Sequence, residues 1–180
     1  MISEPNAETG SAVSAFTPTD VAAILHERGW VFHERDDVPL WLAEAASLLG
    51  PHATSREALA GLLDLIFSYD AKQVVESLDC REMLSREGAL EVIRVLAAEI
   101  LSGGPVDSAR LKEIVGAVKD KTPYRSRDIF LPLRVALAGR AGEGELDRVV
   151  LLLDRAAITD GLAPVKSART RMLEFCAALD

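Results

Sequence analysis

One hundred and eighty residues, 49% of them hydrophobic, supply enough apolar surface for a buried core and exclude an intrinsically disordered chain. Ala and Leu dominate that set while aromatics stand at 5%, which points to an all-α fold, because sheets favour β-branched and aromatic side chains. The net charge of −8 excludes a uniformly basic polyanion binder, no run approaches the ~20 apolar residues of a membrane span, and Glu4 and Glu8 stand where a signal peptide is basic.

Residues 1–18 mix Ser, Ala, Thr, Glu and Pro without hydrophobic period and read as a disordered tail or linker. From Thr19 onward apolar residues recur at helical spacing. Val21, Ile24 and Leu25 share a face, Thr17 or Thr19 supplies the cap, and Gly29 the stop. A loop follows, with Pro39 suited to a first helical turn. Trp41, Ala45, Leu48 and Leu49 make the next stripe, which Gly50 ends. "TSRE" at 54–57 has capping-box spacing, with Thr54 and Glu57 as its ends, and introduces "ALAGLLDLIFSY", apolar enough to be central. A short helix around 71–78 follows Asp70, and Ser85 can cap the long helix that runs to Gly103 and Gly104.

That double glycine, with Pro105, divides the chain into a helical subdomain at 19–104 and a second at 105–180. In the second, Ser108 can cap a helix whose Leu111, Ile114, Val115 and Val118 form one face. Ser126 can cap the next, in which Pro132 falls early enough to be tolerated. Its Leu133, Ala136 and Leu137 face inward, Arg134 projects from the opposite side, and Arg140 lies just past the terminating Gly139. "GELDRVVLLLDRA", a short helix around "ITDGL" and the amphipathic "SARTRMLEFCAALD" complete the chain.

The usual catalytic sets are missing. His26, His33 and His52 lack H-E-x-x-H spacing and pair with no cysteine, so no metal is assigned. Cys80 and Cys176 form no C-x-x-C pair and read as reduced thiols of a cytoplasmic protein, Cys176 buried on a stripe with Met172 and Leu179. Asp36 and Asp37 read as solvated, and Trp30 and Trp41 as core or hinge fillers. The glycines at 139, 142 and 144 read G-x-x-G-x-G after a helix, whereas a dinucleotide site needs G-x-G-x-x-G after a strand, so no cofactor is assigned.

Charge is unevenly placed. Residues 1–100 carry 17 acidic and 7 basic side chains, a net of −10. Residues 121–140 carry Lys121, Arg125, Arg127, Arg134 and Arg140 against Asp128 alone, a net of +4. Guanidinium groups there can fork onto phosphates or base edges, and the glycines after Gly139 permit close approach. Local salt bridges to Asp128 or Glu143 are the structural alternative.

The segment "IFLPLRVALAGR…GEL" resembles a signature near the C-terminus of bacterial glutamyl-tRNA synthetases, and "DVAAILHERGW" and "WLAEAASLLG…REALAGLLDLIFSYD" are similar to that family's preceding helices. Roughly 20–178 can be placed against the anticodon-binding domain, although only 127–146 is specific. The resemblance implies a two-subdomain α-helical cage that splays the bases of the tRNA anticodon loop. It assigns the approach to the anticodon to Arg134, to the turn from Arg140 through Gly142 and Glu143 to Gly144, and to Leu146. Charge alone adds Lys121, Arg125 and Arg127 as phosphate contacts.

Three departures stand out. Gly142-Glu143-Gly144 replaces the family's usual His-Gly-Pro and sets a carboxylate where RNA would approach; a tryptophan before the helix at 108–120 is missing; and no His-Ile-Gly-His or Lys-Met-Ser-Lys type motif is present, so the chain alone is not expected to aminoacylate. The expectation is a non-catalytic domain that binds tRNA, either as a stand-alone protein or as a fragment. The alternatives are a helical protein-interaction module that has lost RNA, and the tRNA-binding half of a split synthetase whose partner is a catalytic subunit.

Overall fold

The computed structural model describes residues 15–31, 33 and 35–180; residues 1–14, Phe32 and Glu34 lie outside the described residues, and with them most of the expected tail. The architecture is an all-α bundle. Its helices are α1 (Pro18–Arg28), α2 (Asp37–Leu49), α3 (Arg56–Phe67), α4 (Ala71–Glu76), α5 (Leu78–Leu84), α6 (Ala89–Ser102), α7 (Ser108–Lys121), α8 (Arg127–Ala138), α9 (Gly144–Ile158) and α10 (Ala168–Leu179). Among the described residues β structure is limited to an isolated antiparallel bridge between Val31 and Leu162.

Capping side chains set most helix starts. Thr17 closes a reciprocal box with Asp20, whose carboxylate accepts from the Thr17 amide at 2.7 Å, so the fold begins inside the segment expected to be tail. Phe16 packs against the core as well. Other caps sit beside the expected ones. Ser55, not Thr54, caps α3, because its extended backbone aims the hydroxyl at the Ala58 amide, 3.0 Å away. Asp107, not Ser108, caps α7, and α6 starts after the left-handed Gly88, while the Ser85 hydroxyl turns back to the Glu82 carbonyl. Ser77 divides the expected 71–78 helix: it ends α4 and accepts from the Cys80 amide to start α5. The "ITDGL" stretch is a turn around Gly161, not a helix.

Helix α8 occupies the centre, with every residue from Leu131 to Ala138 buried. It packs on α5, α6, α9 and α10, while α9 packs on α2 and α3, and α10 on α4 and α6. Gly103 and Gly104 do end α6, and the helices on their two sides contribute to a shared cluster of buried side chains. Asp154 on α9 reinforces the junction by accepting from the amides of Val106 at 2.6 Å and Ala168 at 2.8 Å. Trp41, 1% exposed, meets Phe67 edge-on, and Trp30 stacks on the same ring at 4.8 Å, which joins α1 and α2 to α3.

A buried cation lies where helices α3 and α8 end. Arg171 is fully buried, and its guanidinium donates to the carbonyls of Leu65 (2.8 Å), Ile66 (2.5 Å), Leu137 (2.9 Å) and Lys166 (3.0 Å). Three of these are last-turn carbonyls, the negative poles of two helices, so backbone dipoles substitute for a carboxylate partner. The Tyr69 ring lies over the guanidinium at 4.5 Å, and its hydroxyl donates to the Ala136 carbonyl at 2.6 Å. Burial pulls the Arg171 pKa down to about 10, which leaves the side chain protonated at neutral pH. The apolar stripe of α10 is accordingly Ala168, Met172 and Phe175 with Arg171 among them, and Cys176 is only half-buried.

Candidate nucleic-acid interface

The N-terminal turn of α8 and the loop after its C-terminus lie side by side. Ser126, at the N-cap, has φ 50° and ψ −119°, and among the described residues it is the only non-glycine with positive φ. That conformation costs about 1–3 kcal/mol for a residue with a Cβ. Its carbonyl accepts from the amides of Ile129 and Phe130, both at 3.0 Å, but its hydroxyl makes no capping bond. Pro132 lies in the second turn of α8, later than expected, and the Asp128 carbonyl therefore has no helical i+4 amide. At the far end Gly139 adopts φ 87°, and its amide donates to the carbonyls of Arg134 and Val135, which turns the chain sharply into the loop.

Arg134 does not project outward as expected. It is 9% exposed and forks onto Asp147 of α9, with Nε to Oδ1 at 2.8 Å and Nη2 to Oδ2 at 2.9 Å. Its Nη1 donates to the Gly142 carbonyl at 3.0 Å and stands 3.9 Å from Glu143 Oε2, and the guanidinium lies 5.2 Å from the Phe130 ring centre. The hydrogen bond to Asp147 raises the guanidinium pKa further, against a smaller opposing effect of burial. Because α8 has neighbours on all sides, the one long polar side chain in its middle must find partners within the fold.

The loop is braced from two more directions. The Ala141 amide donates to Asp79 of α5 at 2.8 Å, and the Glu143 amide donates to Glu145 at 3.1 Å. Burial raises the Glu145 pKa, but the amides of Glu143 and Glu145 with Arg140 and Arg134 outweigh it and hold the carboxyl below its ordinary value. Gly142 has the closest contacts: a Cβ there would lie 2.6 Å from Leu146 Cδ1. Its small size therefore serves packing within the protein, whereas Gly144 faces open space.

Between helix and loop lies a cavity of about 330 Å³. Ser126, Arg127, Phe130 and Leu131 form its helical wall, and Arg134 with Ala141, Gly142 and Glu143 the opposite one. The structure thus brings Arg127, Arg134, Gly142 and Glu143 together, with Arg140 exposed beside them and close enough to act on Glu145. The remaining expected side chains do not line it. Leu146 is fully buried, Arg125 donates to the carbonyls of Thr122 and Tyr124, and Lys121 pairs with Glu99 of α6 at 2.5 Å. Asp128 is taken by Arg86 at 2.6 Å, and Arg127 has no ion-pair partner among the described residues. Phe130, Asp79 and Asp147 are site residues that the sequence did not single out. Phe130 sits inside the quoted signature, while nothing in the spacing of Asp79 or Asp147 announces that the fold brings them to this loop.

Among the described residues no His, Cys, Asp and Glu side chains gather to hold a metal ion, and no helix is long and apolar enough to cross a membrane. No solved structure matches the chain. Of characterised sequences, the glutamate–tRNA ligase of Bacillus cereus (strain ATCC 14579) is 24% identical over 137 residues, which is 76% of this chain and 27% of that protein. The glutamate–tRNA ligase of Bacillus cytotoxicus is 31% identical over 78 residues, 43% of this chain and 16% of its own length. Glutamate–tRNA ligase 1 of Ehrlichia ruminantium is 36% identical over 63 residues, 35% of this chain and 14% of its own. The chain therefore spans about a quarter or less of the relatives it matches. A family model described as "Anticodon binding domain" matches residues 15–160, from the cap of α1 to beyond the end of α9. With that match over most of its length, the chain belongs to the anticodon-binding domain family.

Proposed function

We propose that this chain is a non-catalytic anticodon-binding-type domain that holds a single-stranded tRNA loop against the cavity between α8 and the loop at 139–143. The observation that carries the reading is one cavity that combines an aromatic side chain, two guanidinium groups and a loop braced by Asp79, Asp147 and Glu145. Unstacked bases are bound by apolar and aromatic surface, and phosphates by forked guanidinium donors. Phe130 and Leu131 supply the first; Arg127 and Arg140, both exposed, supply the second. Arg134 acts mainly by fixing the loop, since three of its five N–H groups are already engaged.

Titration of the chain with total tRNA at about 50 and about 200 mM salt tests this. Two to three phosphate contacts predict a log–log slope of about −2 and an affinity loss of about fifteenfold over that range. A second reading, contact with protein, including a synthetase catalytic subunit, draws on Ile158 and Leu40, which are 77% and 63% exposed around clefts between α2, α7 and α9. No tRNA response at the lower salt, with a catalytic chain co-purifying, decides for that one.

A further inference from the structure

We infer that Glu143 makes the cavity between α8 and the loop select a nucleobase bearing an exocyclic amine over uracil; the inference rests on the RNA-loop reading above. Of the polar side chains that line the cavity, Arg127 and Arg134 can only donate hydrogen bonds, the Ser126 hydroxyl can do either, and the Glu143 carboxylate can only accept. Two N–H groups of Arg134 remain after Asp147 and the Gly142 carbonyl are served, and Glu143 Oε2 stands 3.9 Å from Nη1. The cavity therefore offers an acceptor beside donors. Its backbone is fixed, because the Glu143 amide is bonded to Glu145 and the Gly142 carbonyl to Arg134, while the Glu143 side chain is 92% exposed and can reach inward.

Cytosine, adenine and guanine each present an amine next to a ring nitrogen or carbonyl acceptor, which matches that juxtaposition. Uracil presents one N–H between two carbonyls, so a carboxylate that accepts from it meets lone pairs on both sides. The carboxylate also repels phosphate, which favours a base edge over backbone at this point. Acceptance from an exocyclic amine by Glu is an established base-reading contact, and discrimination by such contacts reaches about fivefold or more.

The test is competition against labelled tRNA by oligocytidylate, oligoadenylate and oligouridylate of equal length, with the parent chain and with Glu143→Gln. The parent is expected to bind the two amine-bearing oligomers at least about fivefold more tightly than oligouridylate. Glu143→Gln, whose amide can donate to a uracil carbonyl, is expected to narrow that ratio to near unity. Equal binding of all three by the parent, or an unchanged ratio in Glu143→Gln, overturns the inference and leaves RNA binding standing. If neither tRNA nor any oligomer binds at low salt, the RNA-loop reading itself fails and takes this inference with it.

Discussion

Replacing Arg171 with methionine is expected to lower stability by about 3–5 kcal/mol and the melting temperature by about 10 °C or more. Methionine fills much of the volume but leaves the carbonyls of Leu65, Ile66, Leu137 and Lys166 without their donor in a site closed to water. A buried ion pair can often be replaced by apolar side chains when both partners go; here the partners are backbone groups and cannot be removed. The loss is a large fraction of the roughly 5–15 kcal/mol that holds a domain of this kind together. Arg171→Lys retains the charge but not the planar fork, and is expected to recover only part of the loss. Thermal and urea denaturation read both variants, and a melting temperature within a degree or two of the parent for Arg171→Met would show that these carbonyls find other donors.

Arg134→Ala is expected to cost about 2–3 kcal/mol of stability and to weaken tRNA binding as well, because it releases Asp147 and the Gly142 carbonyl together. The cost is set below that of Arg171 because the Asp147 side chain is 21% exposed and can rehydrate. In a double-mutant cycle with Asp147→Ala, coupling of about 1–3 kcal/mol is expected. Arg127→Ala supplies the contrast. An exposed side chain with no ion-pair partner among the described residues should change stability by less than about 0.5 kcal/mol, yet as a direct phosphate contact it should lower tRNA affinity several-fold. If Arg127→Ala binds like the parent while Arg134→Ala does not, RNA does not touch the α8 wall of the cavity.

Much of the helical layout was legible because local rules governed it. The apolar faces of α1, α2, α3, α6 and α7 follow the 3.6-residue period, and Thr17, Gly29, Gly139 and the 103–104 glycines act where the sequence places them. Cap positions slipped by one residue at Ser55 and Asp107, since two neighbouring polar residues offer the same chemistry and only backbone geometry chooses between them. Helix α5 was hidden because Ser77 divides a short run into two pieces too small to show a period. With α5 unseen, the brace from Asp79 to Ala141 could not be anticipated.

The segment that lines the candidate cavity was legible, but the partners of its side chains were not. Arg134 and Arg171 look alike in the sequence, as cations on amphipathic helices, and charge arithmetic treats them as surface. Both are buried: one is neutralised by a carboxylate thirteen positions along the chain, the other by carbonyls more than thirty residues away in α3 and α8. Pairing at that range depends on tertiary packing, which the period of a single helix does not encode. Leu146 shows the converse: a residue the resemblance sets beside the anticodon is fully buried and packs beneath Gly142.

The most direct measurement is a map of backbone amide signals from isotope-labelled chain as an anticodon stem-loop hairpin is added at low salt. The largest shifts are predicted at 126–131 and 140–145, the two walls of the cavity, with smaller ones along α5. An unchanged spectrum, or shifts confined to the face around Ile158 and Leu40, would contradict the assignment of a tRNA loop to this cavity.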